Sequence, residues 1–191
     1  MTVTLDPKKT ALVIIDLQKG IVGLEGKPHS SEEVVKNNIE IAQLMREKGG
    51  FVVLVHVDFH DGQDALKPIT DHHSQAASRP KEWADFVPEL GPMEGDLVVT
   101  KRQWGAFFGT DLDLQLRRRG IDTIILTGIA TNIGVETTAR EAFQYNYQQI
   151  FVEDAMTGLN EVEHHHTVQY IFPKIGRVRK TEDIINDLKT L

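Results

Sequence analysis

Short, solid apolar runs alternate along the chain with longer stretches in which apolar residues return every three or four positions. The first kind of pattern marks strands buried on both faces, the second amphipathic helices. Residues 11–16 read ALVIID, which predicts a buried parallel strand ending at Asp16. Three glycines and a proline between Gln18 and Ser30 predict a loop. Ser30 or Ser31 then caps a helix whose inner face carries Val34, Val35, Ile39, Ile41, Ala42 and Met45, and Gly49-Gly50 stops it. A second strand spans Phe51 to Val57.

Phe59 to Gly95 has no period and holds four prolines, with a short helix expected around Trp83. So long a connection in a compact domain points to a lid or pocket wall. The third strand, Asp96 to Thr100, ends at Lys101. Thr110 or Asp111 caps a helix running to Arg119. Strand Thr123 to Leu126, helix Thr131 to Asn146, strand Gln149 to Val152, helix Glu161 to Phe172, strand Ile175 to Val178 and helix Thr181 to Leu188 follow. This βαβ alternation predicts one domain over residues 1–191. It is an α/β protein, a three-layer α/β/α sandwich around a mostly parallel six-stranded sheet. The expected strand order is 3-2-1-4-5-6, with strands one and four meeting at the switch point where ligands bind.

The net charge of −7 argues against nucleic-acid binding, and no apolar run is long enough for a membrane span. Arg117 to Arg119 sit where cations complement a helix end. With no cysteine in the chain, disulfides, thiolate metal sites and thiol nucleophiles are all excluded. That composition fits a reducing cytoplasm, the expected location.

Asp16 and Lys101 both close apolar strands. A carboxylate at such a place is desolvated, which raises its pKa, and a neighbouring ammonium lowers it again. The pair is a candidate acid–base couple, or a structural ion pair at the sheet end. Gly134, in the first turn of the helix after the fourth strand, serves either close helix–strand packing or a site. Trp104 and Phe107 are candidate pocket walls, or core or subunit contacts. Asp58 and His60 form an Asp-x-His pair that could take a metal with His72 or His73, or line a polar rim. His164 to His166 are consecutive on a helix and so point apart. No metal and no cofactor are expected.

ALVIID, VVTK at residues 98–101 and GIATNIGVETTAR at residues 128–140 together resemble the isochorismatase-like hydrolase superfamily, with EDAMTG at residues 153–158 in support. The resemblance runs from Ala11 to about Asp183. Most members are cysteine hydrolases with an Asp–Lys–Cys triad. Asp16 and Lys101 match the first two positions, and the third falls on Gly134. Thioester chemistry is thereby excluded, and the chain resembles a cysteine-less subgroup. True isochorismatases also lack the cysteine, but they carry an aromatic-His segment where this chain has Ala130-Thr131-Asn132. The resemblance further implies a cis peptide between Ile129 and Ala130, an oxyanion hole from the Ala130 and Gly134 amides, a small-molecule substrate, and a homodimer or homotetramer. Three readings stand: a non-covalent hydrolase, a binding or regulatory homologue without chemistry, and a true isochorismatase.

Overall fold

The computed structural model describes residues 5–71 and 79–191. Its centre is a six-stranded, wholly parallel sheet in the order β3-β2-β1-β4-β5-β6. The strands are β1 (Thr10–Ile15), β2 (Phe51–Val57), β3 (Leu97–Lys101), β4 (Thr123–Ile129), β5 (Gln148–Thr157) and β6 (Arg177–Arg179). The helices are α1 (Lys19–Val22), α2 (Ser31–Glu47), α3 (Leu112–Arg118), α4 (Glu136–Gln144), α5 (Glu161–His166), α6 (Phe172–Ile175) and α7 (Thr181–Lys189). Among the described residues no helix is long and apolar enough to cross a membrane.

Every residue of β1 is buried, and the alternation of a strand sends its side chains to two different layers. Ala11, Val13 and Ile15 pack with Leu112, Leu116, Ala139 and Phe172 of α3, α4 and α6. Leu12 and Ile14 pack with Val34, Ile41, Met45, Ile184 and Leu188 of α2 and α7. Each Val, Leu, Ile, Met or Phe among them contributes about 1.5–3 kcal/mol when fully buried. That is why the run from Ala11 to Ile15 contains no polar residue.

Several boundaries differ from the sequence expectation. Lys19–Val22 makes one helical turn inside the loop before α2. The segment around Trp83 is a turn, not a helix, closed by the Trp83 N–H on the Pro80 carbonyl. β5 continues past Val152 to Thr157, because a register shift opposite Leu126 and Gly128 lets it bend and resume pairing. The helix after β4 begins as a π turn over Thr131–Val135 before α4. A second π turn, Thr167–Ile171, joins α5 to α6.

Candidate active site

β1 ends by delivering Asp16 to the carboxyl edge of the sheet. Asp16 has φ 55°, a left-handed conformation that aspartate tolerates better than branched residues, and its N–H bonds the Val55 carbonyl at 2.8 Å. The chain thereby leaves the sheet plane while the carboxylate stays at the strand end. Lys101 closes β3, two strands away at about 10 Å between strand axes. Only a long side chain bridges that distance. Its Nζ lies 2.7 Å from Asp16 Oδ2 and also donates to the Trp104 carbonyl at 2.7 Å.

Both groups are buried, Asp16 at 5% and Lys101 at 2% exposure. Asp16 Oδ1 has no hydrogen-bond partner among the described residues. Burial is the dominant influence on Asp16 and lifts its pKa to about 6; Lys101, and more weakly His56, pull the other way. His56 itself is fixed: Nδ1 donates to the Ala84 carbonyl and, in the neutral ring, Nε2 accepts from the Thr100 hydroxyl, each at 2.8 Å.

β4 and the turn after it form the third part of the site. Gly128 has φ 111°, and a Cβ there would lie 2.0 Å from the Ile15 carbonyl oxygen, so only glycine lets β4 close against β1. The Ile129–Ala130 peptide is cis. The Ala130 N–H makes no hydrogen bond among the described residues, whereas the Ala130 carbonyl accepts from Ile133 and Val135. At Gly134 a Cβ would sit 3.0 Å from Ile15 Cγ2 and 3.2 Å from both Asp16 Oδ2 and Lys101 Nζ. Asp16, Lys101 and Gly134, distant in sequence, thus converge within contact distance.

They form the floor of a cavity of about 420 Å³. Ile129, Ala130 and Ile133 continue the floor, and Leu24, Val57, Phe59, Leu66, Arg79, Trp83, Arg102, Trp104 and Leu159 are among its walls. Trp104 lies on the wall and is 62% exposed. Phe107 does not line the cavity: it is buried in the core against Tyr145 and Tyr147, and its N–H is held by Glu141. Asp58 edges a separate hollow beyond Trp83, and the exposed His60 offers its backbone N–H to Asp64. Among the described residues no three His, Asp or Glu side chains cluster as a metal site. His72 and His73 lie outside the described residues.

Gln18 was not expected to matter, and the 79–87 segment, part of the connection expected as a lid or pocket wall, depends on it. Buried Gln18 accepts from the Val57 N–H and donates to the Val57 and Trp83 carbonyls. Further backbone bonds run from Lys19 to Asp85, Gly20 to Trp83 and Val87 to Leu17. The Trp83 indole packs on Gly20, where a Cβ would lie 2.0 Å from the ring. This clasp fixes part of the long connection as a cavity wall. A glutamine in a glycine-rich loop gives little signal of that. On the opposite side of the turn, buried His164 bonds the Thr131 hydroxyl at 2.8 Å, and burial lowers its pKa to about 4.

A doubly wound parallel sheet with a ligand-sized cavity at its switch point is the arrangement in which open α/β sheets usually hold their ligands. Residues 10–183 match the isochorismatase domain, and the chain belongs to the isochorismatase family. It is 58% identical over 190 residues to the uncharacterized isochorismatase family protein YwoC of Bacillus subtilis, covering 98% of each chain. It is 31% identical to the ureidoacrylate amidohydrolase RutB of Acinetobacter baylyi, covering 96% of this chain and 85% of RutB. The solved structure of an isochorismatase family protein from Burkholderia thailandensis superposes with a TM-score of 0.94 at 47% identity, covering 99% of this chain and all of the other.

Proposed function

We propose that the protein is a cysteine-less hydrolase of this family that attacks a small molecule with water and forms no covalent intermediate. The observation that carries this reading is the unmatched Oδ1 of Asp16, buried beside the cavity while Oδ2 is held by Lys101. Asp16 takes a proton from water as the water oxygen bonds to the electrophilic carbon. It then returns that proton to the leaving nitrogen or oxygen. Lys101 favours the ionised carboxylate and fixes its orientation. The amides of Ala130 and Gly134 receive the developing oxyanion. The glycine at 134 leaves the space beside Asp16 and Lys101 to water instead of a thiol.

The test is turnover of a panel of labile esters, amides and vinyl ethers that includes ureidoacrylate and isochorismate, with the natural chain and Asp16→Asn side by side. Turnover lost in Asp16→Asn supports the reading; an unchanged rate on any hydrolysed member sinks it. Pyruvate release from isochorismate would instead make the chain a true isochorismatase. The bare α-carbon of Gly134 between Asp16 and Lys101 also suits a homologue that binds without chemistry. That reading predicts saturable ligand binding with no turnover of any panel member.

A further inference from the structure

We infer that the cavity selects a small carboxylate-bearing molecule, with Arg79 as the group that holds its carboxylate. This inference rests on the same site as the proposed hydrolysis and adds the class of substrate. Two of the three basic side chains lining the cavity are already neutralised. Lys101 pairs with Asp16, and Arg102 Nε pairs with Asp64 Oδ2 at 2.8 Å. Arg79 has no carboxylate partner among the described residues. The cavity therefore presents one uncompensated positive charge in a chain whose net charge is −7.

Arg79 is also held in place. Its guanidinium carbon lies 4.3 Å from the centre of the Phe59 ring and 4.7 Å from that of Trp83. Guanidinium–ring contacts occupy the faces of the group and leave its N–H edge, the fork that matches a carboxylate in two parallel bonds. Trp83 is seated on Gly20 and clasped through its carbonyl by Gln18, so the platform under Arg79 is tied to the end of β1. Arg79 is open to solvent on its outer side, which gives an entering anion access. At the floor, Asp16 Oδ1 remains to accept one hydrogen bond. The cavity thus asks for an acceptor pair at the wall and a donor, or the reacting water, at the floor. A carboxylate suits this better than a phosphate dianion, which would carry a second negative charge into a cavity that also holds ionised Asp16.

The experiment measures binding of matched acid and amide probes: acrylate and acrylamide, benzoate and benzamide, indole-3-acetate and indole-3-acetamide. The proteins are the natural chain, Arg79→Gln, Arg79→Lys and Asp16→Asn. The expected result is that at least one acid binds roughly tenfold or more tightly than its amide. Arg79→Gln abolishes that preference, and Arg79→Lys restores part of it. Asp16→Asn keeps the preference, so the anion site is scored even if the proposed chemistry fails. Equal binding of acid and amide, a preference that survives Arg79→Gln, or no binding of any probe up to about 10 mM overturns the inference. None of these outcomes alters the separate turnover test of Asp16.

Discussion

At the amino end of β3, Asp96 meets Arg46 of α2; at its carboxyl end, Lys101 meets Asp16. The two pairs look alike by distance, 2.7 Å between nearest nitrogen and oxygen in each, and each holds a carboxylate that is almost fully buried. They differ in how completely those carboxylates are bonded. Asp96 accepts from Arg46 Nε on one oxygen, and from Arg46 Nη2 and the Met93 N–H on the other; Arg46 also reaches the Leu90 carbonyl. Asp16 has Lys101 on one oxygen and no partner on the other. An unmatched buried polar atom costs about 1–3 kcal/mol, more when charged. The first pair fastens α2 to the sheet, and the second leaves one carboxylate oxygen without a partner in a residue that lines the cavity.

Substitutions should pull the two ends apart. Asp16→Asn should lower kcat/KM by about 10²- to 10⁴-fold, the range for a positioned acid or base, on whichever panel member is hydrolysed. The same substitution made as Asp96→Asn should leave kcat/KM unchanged. It should instead lower the unfolding free energy by about 3 kcal/mol, read by urea titration. A loss of activity without loss of stability in Asp96→Asn would erase the contrast.

The pH dependence sharpens it. Asp16 is ionised above about 6, so activity that needs it as a base should rise with pH through that midpoint. For stability, its raised pKa acts in the opposite sense: its contribution is fully present below 3.8 and lost as pH rises through about 6. His164 is depressed from 6.5 to about 4, so its contribution is fully present above 6.5 and lost as pH falls through 4. Between pH 4 and 6 the two groups tilt the curve in opposite directions. Asp16→Asn should make the unfolding free energy climb more steeply with pH, and His164→Gln should flatten it, by roughly 1–3 kcal/mol across the window, read by urea titration at each pH. Identical slopes in both variants would show that neither group titrates as its burial implies. The smallest expected effect is that of Gly134→Ala. Its Cβ would press Asp16 and Lys101 apart by a few tenths of an ångström and reduce kcat/KM about tenfold.

The sheet was legible in the sequence because parallel strands buried on two faces need unbroken apolar runs, and ALVII and TIIL admit few other readings. The order 3-2-1-4-5-6 was a guess from the usual doubly wound arrangement, and it holds here. The walls were harder. In the aromatic cluster after Lys101, Trp104 faces the cavity, Phe107 the core and Phe108 solvent. A loop has no period from which to read such directions. Gln18 and Arg79 were missed for a related reason. Each has a partner the sequence does not point to: Gln18 bonds Trp83, 65 residues on, and Arg79 lies over the rings of Phe59 and Trp83. β5 was cut short because its last residues include Glu153 and Asp154, which look like loop. Asp154 in fact bonds the Thr181 N–H and hydroxyl where α7 begins.

The contact of Gly128 with the Ile15 carbonyl separates what this protein can change from what it cannot. A methyl group there would wedge the two central strands apart and move Asp16 away from the turn that holds Gly134. Leu24, Leu66, Trp104 and Leu159 stand on connecting segments, where a new side chain disturbs little beneath it. A search for altered ligand selectivity should therefore randomise the rim and leave the strand ends untouched.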